Sequence, residues 1–349
     1  MVEVTIPLVI GGATLAGIAV IAPVTKYALD IYPYLYTNTR CSSRLGLLFN
    51  KKFYEELIAA TSVKEVFAML EDTYYSDIVE HSKGFFTISD KLEDDLYQTN
   101  AWLLNIVSKN IAPIITAMNL KFEINSIKSV LNSVKEGKNI DPKELRFIGD
   151  EQLKLKLESV SDYQSLVSAV EDTAYYLILQ ECNLDELHKI NTLLDRVYIE
   201  NLVNSIKTVK DSGASAPFME YVRVLIDLFN TRLTARSLNS DSEEDLIEGG
   251  HLKKKDLEGI NDLAQLKSVL SSSQYTDFLG KGTLFDIENT FYKYLLKQAW
   301  KISAKHTIKS GTVVRFILLK EIEIRNIYTI IKLKTEGFTA EEIEQVLVF

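Results

Sequence analysis

The stretch Ser62-Val-Lys-Glu-Val-Phe-Ala-Met-Leu-Glu-Asp-Thr-Tyr-Tyr75 returns twice, at intervals of 100 residues. Glu71-Asp72-Thr73 comes back as Glu171-Asp172-Thr173. Apolar positions keep step in all three copies: Val63, Tyr163 and Leu263; Val66, Leu166 and Leu266; Leu70, Val170 and Leu270. An aromatic closes each copy, at Tyr74/Tyr75, Tyr175/Tyr176 and Tyr275. Steps of three and four place these residues on one face of a helix, so each copy predicts a short amphipathic helix with a buried stripe. The third copy has Ser271-Ser272-Ser273 where the others are acidic, so Glu71 and Asp72 read as surface groups and not as reactive carboxylates.

The repeat also sets the domain count. With 349 residues, units of this period leave room for an N-terminal extension at 1–33 and three helical repeats at 34–148, 149–249 and 250–349. A net charge of −9 argues against nucleic acid as a partner, because that binding needs a basic surface to release phosphate counterions. Cys41 and Cys182 stand far apart and form no disulfide framework.

Val4 to Thr25 contains no charged residue, a length of apolar chain able to cross a bilayer. It reads either as a membrane anchor or as a buried helix. Lys26, Arg40, Arg44, Lys51 and Lys52 all follow it, which by the positive-inside tendency places the rest of the chain on the cytoplasmic face. Tyr32-Pro-Tyr-Leu-Tyr-Thr-Asn-Thr-Arg40 comes next and suits a membrane interface or packing into the first repeat equally.

Long helical hairpins follow each copy of the opening stretch. In the first, Lys91–Val107 carries a 3.6-residue apolar period, Pro113 interrupts it, and a second helix runs through Phe122–Leu131. Ile190–Tyr198 with Asp227–Arg236, and Ile287–Tyr294 with Glu323–Ile331, predict the same pair in the later repeats, with Asp211–Pro217 as a hairpin loop. Asn125, Asn230 and Asn326 fall in register and read as buried amides that set helix registry, since a buried unpaired amide costs about 1–3 kcal/mol. Gly137, Gly250 and Gly337 suit helix C-terminal positions with positive φ. A short amphipathic element follows each, and with Leu48–Ile58 it occurs four times, as though the C-terminus began a fourth unit.

Motifs for chemistry are absent. His81, His188, His251 and His306 show no metal-binding spacing, and there is no phosphate loop, dinucleotide fingerprint or nucleophile elbow. No cofactor or catalytic residue is expected, and the chain reads as a non-enzyme.

Together, several motifs carry a family resemblance from about Tyr34 to the last residue: Tyr34-x-Tyr-x-Asn-x-Arg40, Phe53-Tyr-Glu-Glu-Leu57, Ser62-Val-Lys-Glu65, Leu70-Glu-Asp-Thr-Tyr74, Leu225-Ile-Asp-Leu-Phe-Asn230, Glu321-Ile-Glu-Ile-Arg-Asn-Ile327, and Gly337 with Glu341-Glu-Ile-Glu-Gln-Val-Leu347. In order and position they resemble the C subunit of the archaeal A-type ATP synthase, which is similar to the d subunit of the vacuolar ATPase. The apolar run at 4–25 is an extension to that pattern, and Asn38–Arg40 keeps part of the usual opening motif. The resemblance implies an all-α funnel of three pseudo-threefold-related domains, a rotor adaptor between the membrane proteolipid ring and central-stalk subunits D and F. Asp227, Arg232, Glu323 and Arg325 are the expected partner-binding residues on the Asn-containing helices, with ordinary surface or inter-helix salt bridges as the other reading. A membrane-tethered helical scaffold is the alternative function.

Overall fold

A computed structural model describes residues 25–26, 28–82, 85–238, 245–280 and 284–349. The apolar run expected to anchor the chain therefore lies outside the described residues, save for its last residue. Among the described residues every regular element is helical, and no helix is long and apolar enough to cross a membrane.

A first helix, α1, runs through 28–45. It is followed by α2 (Lys51–Ala59), α3 (Val63–Glu71) and α4 (Ser76–Glu80), then by a hairpin of α5 (Phe85–Ile106) and α6 (Ala112–Lys135). Next come α7 (Glu151–Glu158), α8 (Tyr163–Ala169) and α9 (Tyr176–Glu181), before the hairpin of α10 (Leu187–Thr208) and α11 (Ser212–Ser237). The last set is α12 (Lys254–Leu257), α13 (Leu263–Ser271), α14 (Leu284–Lys305), α15 (Gly311–Thr335) and α16 (Ala340–Val346).

The repeated stretch folds the same way three times. Ser62, Asp162 and Asp262 cap α3, α8 and α13, each side chain accepting from the amide three residues on. At the other end Thr73, Thr173 and Ser273 donate to the carbonyls of Leu70, Val170 and Leu270 and accept from the amides of Tyr75, Tyr175 and Tyr275. This turn throws all three tyrosines inward, where they are buried. Leu70 and Leu270 are fully buried beneath them, each worth about 2 kcal/mol by transfer.

The long helices close on themselves. α5 packs on α6, α6 on α10, α10 on α11, α11 on α14, α14 on α15, and α15 returns to α5. The cores follow these contacts and not the repeat boundaries: one runs from Ile124 to Leu194, and another joins residues 54–92 to Ile324–Leu347.

Closure corrects the expectation of a fourth, uncompleted unit. α16 packs on α2, and the last residue, Phe349, stacks on Tyr54 with ring centroids 5.7 Å apart. The C-terminal segment thus completes the first unit, and the fourfold count merged two kinds of element: those that follow a long helix and those that precede α3 or α13. Pro113 does not interrupt a helix but lies in the first turn of α6, where the ring's fixed φ helps and a missing N–H costs nothing. Likewise Asp211–Pro217 is not a loop: Asp211 caps α11, and Pro217 is already inside it.

Candidate interaction site

Each inward tyrosine ends on a carboxylate of a long helix. Tyr175 donates to Glu123 of α6 at 2.7 Å, Tyr275 to Asp227 of α11 at 2.6 Å, and Tyr75 to Glu323 of α15 at 2.8 Å. The first two tyrosines reach back to the long helix that precedes them in the chain. Tyr75 reaches instead to α15, from the far end of the chain. Burial pushes all three phenols well above their ordinary range, with the facing carboxylate adding to the shift at Tyr175 and Tyr275, so they remain donors.

Asp227 is fully buried and also accepts from the amides of His251 and Leu252, at 3.0 Å each. Burial outweighs these donors and pushes its carboxyl up to about 6. The loop wraps so closely that a Cβ on Gly250 would overlap the Asp227 Oδ1. The positive φ expected at Gly250 belongs instead to Gly249, at +104°. Glu323 accepts from the amide of Phe49 at 2.6 Å and from the Tyr74 hydroxyl, and burial raises its carboxyl to about 8. Beside it the buried Lys320 ammonium lies 2.7 Å from Asp95 and donates to Tyr74 and Tyr75 at 3.0 and 2.8 Å.

Three residues beyond two of these carboxylates stand the clamping asparagines. Asn230 exchanges two 2.8 Å hydrogen bonds with the backbone of Ile247, and Asn326 holds Val348 in the same way at 2.6 and 3.1 Å. Asn125 does not share this register. It is exposed and donates to Glu93, and the carboxylate frame puts the buried Ser126 at the asparagine position. The signal for this is the spacing of two from Glu123 to Asn125, against three in Asp227–Asn230 and Glu323–Asn326.

Of the four expected partner-binding residues, Asp227 and Glu323 cannot reach a partner, being at most 1% exposed. They are internal fastenings, placed inward by tyrosines whose sequence pattern marks only packing. Arg232 and Arg325 lie at a half-open surface where α11, α14 and α15 meet. Arg232 grips Glu288 with two hydrogen bonds of 2.7 and 3.0 Å while 39% of its side chain stays exposed. Arg325 donates to Asn289 at 2.6 Å and lies 4.4 Å over the Tyr292 ring. Nearby, Glu321 pairs with Lys121 of α6 and accepts from Tyr221 of α11 at 2.8 Å. Fixed in this way, the charges keep a defined shape, which suits recognition of a complementary surface.

A model of the ATP synthase (C/AC39) subunit family matches residues 37–346. The chain is 27% identical to the A-type ATP synthase C subunit of Methanocaldococcus jannaschii, with 94% of this chain and 90% of the relative covered. Relatives of the same name from Methanobrevibacter smithii and Thermococcus kodakarensis are 26% and 24% identical. The first alignment covers 95% of this chain and 92% of the relative, the second 90% of both.

Proposed function

The chain belongs to the ATP synthase (C/AC39) subunit family, and from this we propose that it is the non-catalytic central-rotor adaptor of an A/V-type complex. It couples the central stalk to the membrane proteolipid ring and transmits torque for ion-driven ATP synthesis or ATP-driven ion pumping. Its direct partners in this reading are the proteolipid ring and stalk subunits D and F, and it works at the cytoplasmic face of the membrane. Residues 1–33 form its apolar extension and lipid contact, and the repeats at 34–148, 149–249 and 250–349 form a funnel around the rotation axis.

One observation carries the proposal: the six long helices close on themselves, and α15 is fastened back to the first unit through Tyr75 and Glu323. Torque passes through a body only if it resists twisting, and a close-packed helical ring without a free end does so better than an open row. The half-open Arg232–Glu288 and Arg325 surface offers a partner charges fixed in place.

Purification through a tag on this chain from native membranes tests the assignment. Recovery of stalk subunits and the proteolipid ring is expected. Recovery of the chain alone, or with proteins of an unrelated assembly, favours the membrane-tethered scaffold instead.

A further inference from the structure

We propose that the end of the molecule formed by the three long hairpin tips is a binding surface for anionic lipid headgroups. The observation is a segregation of charge in an otherwise acidic chain. No Asp or Glu stands between Asp95 and Glu123 or between Glu288 and Glu321, and Asp211 alone stands between Glu200 and Glu220. These spans are the tip halves of the three hairpins.

The tips lie together around the start of α1. Lys309 bridges Asp30 and Asp211 at 2.7 and 2.6 Å, Tyr34 donates to Asp211 at 3.0 Å, and Asn38 donates to the Lys309 carbonyl at 2.8 Å. Both carboxylates are thereby tied to one lysine, which offsets half of their charge. A cleft of about 540 Å3 between the tips is lined by Leu29, Tyr34, Lys109, Asn110, Lys210 and Asp211. Lys109, Lys207, Lys210, Lys301 and Lys305 are exposed there and form no ion pair among the described residues.

Apolar and aromatic side chains share this end: Leu29 is 68% exposed, Tyr32 74% and Trp300 59%. Rings with one polar edge beside free lysines match the headgroup layer of a bilayer. The uncharged run 4–24 leads into the same end, which favours a membrane surface over an acidic protein. Phosphate groups would meet the lysines while Leu29 and Tyr32 reach the acyl boundary.

The test is binding of the full-length chain to vesicles of phosphatidylcholine alone and of phosphatidylcholine mixed with phosphatidylglycerol. A lysine that reaches an anionic surface strengthens binding roughly fivefold. Wild type should bind the anionic vesicles roughly tenfold or more tightly, with the excess lost at high salt. Lys109→Glu/Lys210→Glu/Lys305→Glu should abolish that excess and leave binding to phosphatidylcholine unchanged. Lys64→Glu/Lys143→Glu/Lys255→Glu, the same charge change at exposed sites away from the tips, should keep it. Equal binding of wild type to both vesicles, or equal loss in the two variants, overturns the proposal. No other protein is present, so either result leaves the co-purification test independent.

Discussion

Tyr75 donates a 2.8 Å hydrogen bond to Glu323 across 248 positions of sequence. This contact repeats, between the two ends of the chain, the bonds that Tyr175 and Tyr275 make to Glu123 and Asp227 within it. Three fastenings of one kind therefore join the long helices to the repeated stretch, and one of them closes the ring.

Removing the hydroxyls should rank the three. Tyr75→Phe and Tyr275→Phe leave a buried carboxylate short of a donor and should each cost about 1.5–3 kcal/mol. Tyr175→Phe should cost about 1 kcal/mol, because Glu123 is only half-buried and water can replace the phenol. Urea midpoints of the three variants check the order, and a Tyr175→Phe cost equal to the others would contradict it.

Stability should depend on pH through Glu323. Burial raises its carboxyl from an ordinary value near 4.5 to about 8, so between these values the folded chain holds a proton that the unfolded chain has lost. Stabilisation present below pH 4.5 is lost as pH rises through 8, at about 1.4 kcal/mol per unit for a fully decoupled group. Asp227, raised to about 6, adds a slope of the same sign between about 4 and 6. Lys320, pushed down by burial, gives the opposite slope above its own lowered value. Glu323→Gln should therefore cost more at pH 5 than at pH 8 in parallel urea titrations.

Cutting the Asn326 clamp should loosen the chain end selectively. Asn326→Ala frees the backbone of Val348 and should cost about 1–3 kcal/mol, with faster hydrogen exchange over 346–349. Asn125→Ala, at an exposed site, should change stability by less than about 0.5 kcal/mol. Equal costs would restore the register in which both asparagines do the same work.

How much is legible in sequence follows from the range of each interaction. The helices of the repeated stretch are set by spacings of three and four and by the caps at Ser62, Asp162 and Asp262, all local signals. Ring closure rests on residues 248 apart, and no periodicity reports such a pair. Alignment by residue type misleads twice: it matches Asn125 to Asn230 and Asn326, and it sends Asp227 and Glu323 to a partner surface. Charge suggests exposure, yet both carboxylates are held inside by donors from other segments. Their shared offset from an asparagine is visible in the sequence, but the tyrosine each receives is not.

Arg232 and Glu288 separate stability from assembly. The pair is partly exposed, so Arg232→Ala should cost no more than about 1 kcal/mol. If this surface meets a partner, the same variant should recover a smaller share of the stalk proteins at equal chain abundance. Unchanged recovery would remove Arg232 from the contact.

ATP-driven ion uptake by membrane vesicles, with this chain depleted and then restored, tests the rotor role most directly. A torque-transmitting adaptor requires that depletion abolish the ion gradient while the detached headpiece continues to hydrolyse ATP, and that adding back the purified chain restore uptake. A full gradient in vesicles without the chain would contradict it.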